Sequence, residues 1–383
     1  MTISTARLPL ALYLHIPWCV RKCPYCDFNS HQIDGCPDAL GYVRALLDDL
    51  AFEAPLIGER EVSTVFIGGG TPSLFPPEVI QTLLLGVAQR INLAADAEIT
   101  MEANPGTFEA AWYRGYHEAG VNRLSIGVQS FNDDALQALG RIHSSEQAHL
   151  AIGQALQSGF DSVNIDLMFG LPGQSLEQAR ADLAQAIGFS SGHISYYQLT
   201  LEPNTLFHRH PPVLPEEDLI AQMHEQGQTQ LAAADYRPYE VSAYARADLQ
   251  CRHNLNYWEF GDYLGIGAGA HGKLSSELGV RRRWRVRHPN AYLSGAGSAQ
   301  AVSGERWLSE QDLILEFMMN ALRLRAGFSL SLFESRTGLP FEKIAALISQ
   351  AEKRELLLRD GDVFMTTEFG RRYLNELLEI FCL

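Results

Sequence analysis

No apolar run in the sequence approaches the ~18 residues that a membrane-spanning helix needs. The nearest stretch, Leu8 to Trp18, is interrupted by Pro9, His15 and Pro17 and has only Arg7 upstream, so neither a secretory signal nor a transmembrane anchor is expected. Basic residues are scarce as well: 30 Lys and Arg stand against 45 Asp and Glu, a formal charge of −15. That balance argues against nonspecific nucleic-acid binding, which needs a cationic face to neutralise phosphates. Cysteine is sparse, six residues in 383, and no second Cys-x-x-Cys or His-x3-His pair exists. Three of the six, Cys19, Cys23 and Cys26, fall within eight residues, whereas Cys36, Cys251 and Cys382 are scattered. A small disulfide-bonded secreted domain does not have this distribution; a metal site in a reducing, cytoplasmic compartment does. At ~100 to 200 residues per domain, the length corresponds to two or three folding units.

The first half alternates apolar strands with amphipathic helices. Leu10, Leu12, Leu14 and Ile16 have strand periodicity, and Asp38 to Ala54 carries Leu40, Val43, Leu46, Leu47 and Leu50 at helical spacing. The unit recurs with strands expected at Val62 to Ile67, Glu98 to Met101, Arg123 to Val128, Asp161 to Phe169 and His193 to Thr200. Helices are expected from Pro77, from Phe108 to Ala119, near Asp133, from Ser144 to Ser158 with a Ser144–Gln147 capping box, from Ser175 to Ile187 and from Pro215 to Ala234. Six such units imply a parallel sheet with right-handed crossovers, either open and doubly wound or an incomplete barrel. Polar and glycine residues follow nearly every strand. A barrel gathers all its strand ends around one mouth, so an α/β fold with an incomplete (β/α)6 TIM-like barrel is the favoured architecture.

In Cys19-Val-Arg-Lys-Cys23-Pro-Tyr-Cys26, one short loop can wrap a metal centre with three thiols, and soft thiolates select zinc, copper(I) or an iron–sulfur cluster. Structural zinc wants four ligands, with His15, His31 or Cys36 as candidates for the fourth. A cubane with three cysteinyl irons and one open iron matches the residue count better. The Cys-x3-Cys-x2-Cys pattern resembles the signature of the radical S-adenosylmethionine superfamily. The preceding Tyr13-Leu-His15-Ile-Pro17-Trp-Cys19 is similar to the branch containing oxygen-independent coproporphyrinogen III oxidases and HemW-type heme chaperones. Gly68-Gly69-Gly70-Thr71-Pro72, Glu102-Ala-Asn104-Pro105, Gly127-Val-Gln129-Ser130 and Asp166-Leu-Met-Phe-Gly170-Leu-Pro172 match that branch in order.

The resemblance implies a radical-SAM barrel with a [4Fe–4S] cluster on Cys19, Cys23 and Cys26, whose open iron chelates the amino and carboxylate groups of S-adenosylmethionine. Reductive cleavage to a 5′-deoxyadenosyl radical is the chemistry the superfamily carries out. By the same resemblance Gly69, Gly70 and Thr71 contact the methionine moiety, the glycines by close backbone approach. Glu102, Gln129, Arg141 and Asp166, with Tyr13 beside them, are the candidates for the carboxylate, the ribose hydroxyls and the rest of the nucleoside.

Two departures separate the chain from the oxidases it resembles. They carry a further cysteine two positions after the third, where this chain has Phe28, and an N-terminal arm of some tens of residues, where 18 residues precede Cys19 here. Both favour the chaperone type, as does His253-Asn254-Leu-Asn-Tyr257-Trp258, which matches that type's HNxxYW pattern and implies His253 as a heme-binding residue. The implied partners are heme, heme-recipient proteins, which could bring a peripheral membrane contact, and an electron donor for the cluster. Competing readings are a coproporphyrinogen III oxidase and a structural iron–sulfur or zinc protein.

Downstream, Gly265, Gly267 and Gly269 lie in a glycine-rich strand expected to pass near the adenosyl ligand. Arg281-Arg-Arg283-Trp-Arg285-Val-Arg287 forms a cationic stripe, with Arg283, Arg285 and Arg287 on one strand face. Heme propionates, an acidic partner or a charge-guarded strand edge would each account for it. Gly295, Gly297, Ser298 and Ser303 suggest a linker. From Glu310 onward the pattern becomes helical. Leu332 to Thr337, Phe341 to Glu355, Val363 to Thr366 and Glu368 to Phe381 then follow as helix, helix, strand and helix, resembling a winged helix. The expected division is 1–235 for the barrel, 236–303 for connecting strands and 304–383 for the C-terminal domain.

Overall fold

The computed structural model describes residues 8–33, 35, 37–106 and 111–382; Arg7, Cys36 and the expected helix start at Phe108 lie outside the described residues. Strand β1 (Leu10–Ile16) has six of its seven residues buried, as expected of a central parallel strand covered on both faces. It is followed in chain order by β2 (Val62–Gly69), β3 (Leu93–Ala103), β4 (Arg123–Gln129), β5 (Ser162–Phe169) and β6 (His193–Gln198). Each pairs in parallel with the one before. Helices return the chain between them. Two of these, Ser145–Gln157 and Leu176–Gly188, open with full capping boxes built on Ser144 and Gln147 and on Ser175 and Gln178.

The sheet continues past both ends of this parallel run. Strands β7 (Arg237–Pro238), β8 (Ala243–Ala245), β9 (Asp262–Ile266), β10 (His271–Ser276), β11 (Gly279–Arg285) and β12 (Val302–Trp307) complete a twelve-stranded sheet of order β12-β11-β10-β9-β1-β2-β3-β4-β5-β6-β8-β7. Its edges do not meet, so the barrel stays open. Strand β9 lies parallel to β1, with Leu10 opposite Asp262 and Leu14 opposite Ile266. The glycine-rich segment is therefore a strand followed by a turn, in which Gly267 and Gly269 have positive φ, and then a hairpin. The expected linker is instead the helix Pro289–Gly295 and edge strand β12, and a boundary at residue 304 would cut that strand.

The C-terminal part forms a second core around Phe317, Phe328, Phe333 and Phe364. Its sheet has three strands, Phe328–Ser329, Leu357–Asp360 and Val363–Thr366; only the last was expected from the sequence. Val280 from the large sheet and Phe260 from the turn before β9 join this core, which fixes the two parts together.

The arginine stripe is largely neutralised from within. Arg285 is buried against Asp49 at 2.9 Å and Glu53 at 3.1 Å, both on the helix Ala39–Glu53. Arg283 reaches Glu53 at 3.2 Å, Arg282 meets Glu316 at 2.6 Å and Arg281 meets Glu305 at 3.3 Å. Arg287 remains exposed, with no ion pair among the described residues.

Candidate functional site

Two cavities open at the carboxyl ends of the parallel strands, as the barrel argument requires. One, of about 500 Å³, is lined by Cys19, Cys23 and Cys26 together with Glu102, Arg141 and Asp166; Gly69, Gly70, Thr71 and Gln129 also face it. The other, of about 700 Å³, has Tyr13, Tyr257, His271 and Trp284 in its wall. Asp27, Phe28, Gly69, Glu102 and Trp258 line both and form the ridge between them. Ten of the twelve residues singled out from the sequence thus share the first cavity; Tyr13 stands on the second and His253 on neither.

The cysteine loop is held by main-chain contacts. Ile33 N–H donates to the Cys19 carbonyl at 3.1 Å and Cys26 N–H to the Cys23 carbonyl at 3.1 Å. Lys22 Nζ donates to the Phe28 carbonyl at 2.9 Å, and Asn29 Nδ2 donates to the carbonyls of Ala268 and Arg287, both at 2.9 Å. The three thiols are free. Burial raises the pKa of Cys19 and Cys26, so their thiolates call for a compensating metal charge. No group of three or more His, Cys, Asp or Glu side chains among the described residues converges as a single metal ion requires. Three thiols that share one cavity wall without converging suit the separate irons of one cluster, and the donor set fits a [4Fe–4S] group better than zinc.

Around the thiols the polar groups form a connected set. The Arg141 guanidinium donates to the Asn104 carboxamide and the Gly127 carbonyl, both at 2.7 Å, and approaches Cys23 Sγ at 3.6 Å. It is not the solvated loop residue that its place before a helix allowed. Asn104, absent from the site residues chosen from sequence, bridges Arg141 to Thr71 Oγ1 at 2.9 Å. Asp166 accepts from Asn164 at 2.7 Å and Ser125 at 3.1 Å. Gln129 sits at a bulge between β4 and β5 with φ of 70°, a conformation costly for a side chain of this kind, and its amide oxygen accepts from Tyr197 at 2.7 Å. Trp258 Nε1, on the ridge, is a buried donor without an acceptor among the described residues.

The glycines also answer a packing need within the chain itself. A Cβ on Gly69, whose φ is 115°, would fall 2.4 Å from the His15 ring, and one on Gly70 would fall 2.4 Å from the Trp18 carbonyl oxygen. Close packing of the β2 end on the β1 end therefore demands both glycines before any ligand is considered.

His253 departs further from expectation. Its side chain is fully buried; Nδ1 is 2.8 Å from Thr64 Oγ1 and Nε2 is 3.1 Å from Tyr257 Oη. Its backbone N–H donates to Glu98 at 2.9 Å. Burial, with Arg123 nearby, pushes its pKa down to about 3, so the ring is neutral. The residue fastens the helix Arg252–Trp258 to β2 and β3, and both ring nitrogens are already engaged. Tyr13, expected beside the nucleoside, donates to His15 Nδ1 at 2.9 Å at the end of β1.

Glu102 accepts the Gly69 N–H at 2.9 Å, and burial, aided by Asp166, raises its pKa to about 7. The folded chain therefore binds more protons here than the unfolded chain between the ordinary glutamate value and pH 7, so stability should fall as pH rises through that window. Glu102→Gln should flatten this slope in urea titrations of the metal-free protein at pH 5 and pH 8 and gain roughly 2 to 3 kcal/mol at the higher pH. Equal slopes would refute the assignment.

Residues 13–186 match the radical SAM superfamily and residues 308–373 the HemN C-terminal domain. Heme chaperone HemW of Escherichia coli is 50% identical over 374 residues, covering 97% of this chain and 98% of the relative. The Haemophilus influenzae protein of the same name is 48% identical over 378 residues, with 97% and 98% covered. The solved structure of coproporphyrinogen III oxidase HemN from Escherichia coli superposes with a TM-score of 0.82 at 24% identity, over 98% of this chain and 90% of that one.

Proposed function

Because the chain belongs to the HemW family within the radical S-adenosylmethionine superfamily, we propose that it binds heme and passes it to recipient proteins. It does so carrying a [4Fe–4S] cluster on Cys19, Cys23 and Cys26 and S-adenosylmethionine in the cavity of about 500 Å³. The observation that carries this reading is the second cavity of about 700 Å³, separated from the cluster loop only by the ridge of Asp27, Phe28, Gly69, Glu102 and Trp258. A cofactor chamber and a larger aromatic chamber with a shared wall suit a protein that handles both ligands.

When bound, the cluster supplies an electron and one open iron for the amino and carboxylate groups of S-adenosylmethionine. The chain's own residues do the rest. Arg141 holds a fixed cation beside Cys23, which offsets the negative charge of the thiolate. Asn104 fixes the direction of that guanidinium through Thr71. Glu102 and Asp166 offer carboxylate oxygens that accept ribose hydroxyls, and the Gln129 amide remains free to donate through nitrogen. His253 keeps the Asn254–Trp258 turn against the sheet so that Tyr257 and Trp258 face the larger cavity.

The protein works in the cytoplasm, with an electron donor for the cluster and a recipient that brings any membrane contact; among the described residues no helix is long and apolar enough to cross a membrane. The oxidase reading lacks such support, since Phe28 occupies the ridge where the oxidases have cysteine. Anaerobic reconstitution with iron and sulfide followed by heme titration tests the proposal. One heme taken up per cluster-loaded chain is expected. Conversion of coproporphyrinogen III to protoporphyrinogen IX by the same preparation would replace it with the oxidase.

A further inference from the structure

Three histidines come near the larger cavity, and their hydrogen bonds distinguish them. His253 lies behind its wall with both ring nitrogens engaged. His15 lines the cavity, but its Nδ1 accepts from Tyr13 and its Nε2 donates to the Asn29 carbonyl at 2.9 Å. His271, at the start of β10, lines the same cavity and is exposed, and its ring makes no hydrogen bond with a described residue. The ring stacks on Trp284 across the hairpin, with centroids 6.2 Å apart and planes 21° apart. Its pKa is lowered by burial and by Arg282 and Arg287 nearby, which keeps a nitrogen lone pair available at neutral pH.

The cations around this cavity divide in the same way. Lys273 is bound to Asp262, Arg282 to Glu316 and Arg285 to Asp49. Arg287 lines the cavity, is exposed and has no carboxylate partner among the described residues. One unbonded imidazole and one unpaired guanidinium thus share a wall with Tyr257, Trp258 and Trp284, the donor set that an anionic metalloporphyrin requires.

We propose that His271, and not the histidine of the His253–Trp258 motif, ligates the heme iron in the cavity of about 700 Å³, with Arg287 taking a propionate. This rests on the chaperone reading and adds to it a ligand and a site. The motif then acts through Tyr257 and Trp258, while His253 is a positioning residue.

Hemin titration of the reconstituted protein, followed by the Soret band and by electron paramagnetic resonance, tests the assignment. The wild-type protein should give the signature of an imidazole-ligated heme. His271→Ala should lose that signature and weaken hemin binding at least ~10-fold, and added free imidazole should restore the spectrum. Metal-free protoporphyrin, which needs no axial ligand, should bind His271→Ala as it binds wild type but bind Arg287→Glu more weakly. A His271→Ala protein with the wild-type heme spectrum overturns the proposal and leaves the chaperone reading standing. A His253→Gln protein of unchanged circular dichroism that alone loses the imidazole signature also overturns it. A wild-type protein that takes up no heme brings down both.

Discussion

Replacing any one of Cys19, Cys23 and Cys26 with alanine is expected to abolish the brown iron–sulfur absorbance of the anaerobically reconstituted protein. The three thiols share one cavity wall, and two other donors are already committed: His15 is bonded on both nitrogens, and the buried Cys251 lies in hydrogen-bond contact with Glu98. Loss of one thiolate leaves two irons unprotected, and the remaining pair cannot hold a cubane. Affinity for S-adenosylmethionine should fall with it, by more than the ~10- to 100-fold that loss of an outer-shell partner costs a metal site. Isothermal titration with the wild-type and variant proteins measures this directly. An intact cluster spectrum in Cys23→Ala would show that the ligand set has been misassigned.

Asp262→Ala should give the largest loss of stability. The carboxylate is buried where β9 meets β1, 2.9 Å from Arg60 and 3.1 Å from Lys273, and it accepts from both the N–H and the hydroxyl of Ser275. Burial by itself would raise its pKa, but Lys273, Arg60 and the Ser275 bonds together hold it below the ordinary carboxylate value. Its stabilisation is therefore complete above the unfolded-state value and is lost as pH falls through the lower folded value. Truncation leaves Lys273, itself 1% exposed, as an uncompensated charge in the interior, an effect typically worth ~3 to 5 kcal/mol. Urea midpoints at pH 7 read it out. Adding Lys273→Met should recover much of the loss, because the stranded charge then disappears. A single variant within ~1 kcal/mol of wild type would mean that the network is solvated after all.

Local signals carried the first half of the chain well. Strands β1 to β6 have the run lengths of buried parallel strands, and the Ser144 capping box is fixed by side chains three residues apart, so a linear reading finds them. The cluster loop and the residues after each strand were legible because a parallel sheet delivers successive strand ends to one face. What escaped was set by partners distant in sequence. The arginine stripe was visible, but its neutralisers Asp49 and Glu53 precede it by more than 200 residues. His253 carries a motif that suggests a ligand, yet its ring is occupied by Thr64, whose place is decided by sheet order. The Gly69 and Gly70 contacts depend on how tightly β2 ends against β1, which no local spacing encodes. His271 lies two residues after Gly269 in sequence, with no local signal to give it a task. An unpaired imidazole beside a tryptophan on the adjacent strand, 13 residues on in sequence, becomes apparent only when the hairpin is built.

The parallel pairing of β1 with β9 also has a consequence in time. About 250 residues separate Leu10 from its partner Asp262. At roughly 5 to 20 residues per second of synthesis, one edge of β1 waits on the order of 10 to 50 s for its neighbour. The cysteine loop waits longer, because Asn29 is fastened only once Ala268 and Arg287 have arrived. Ribosome-bound chains that end before Arg287 would present the three thiols on an unanchored loop, so durable loading with iron and sulfide belongs to the last quarter of translation or later.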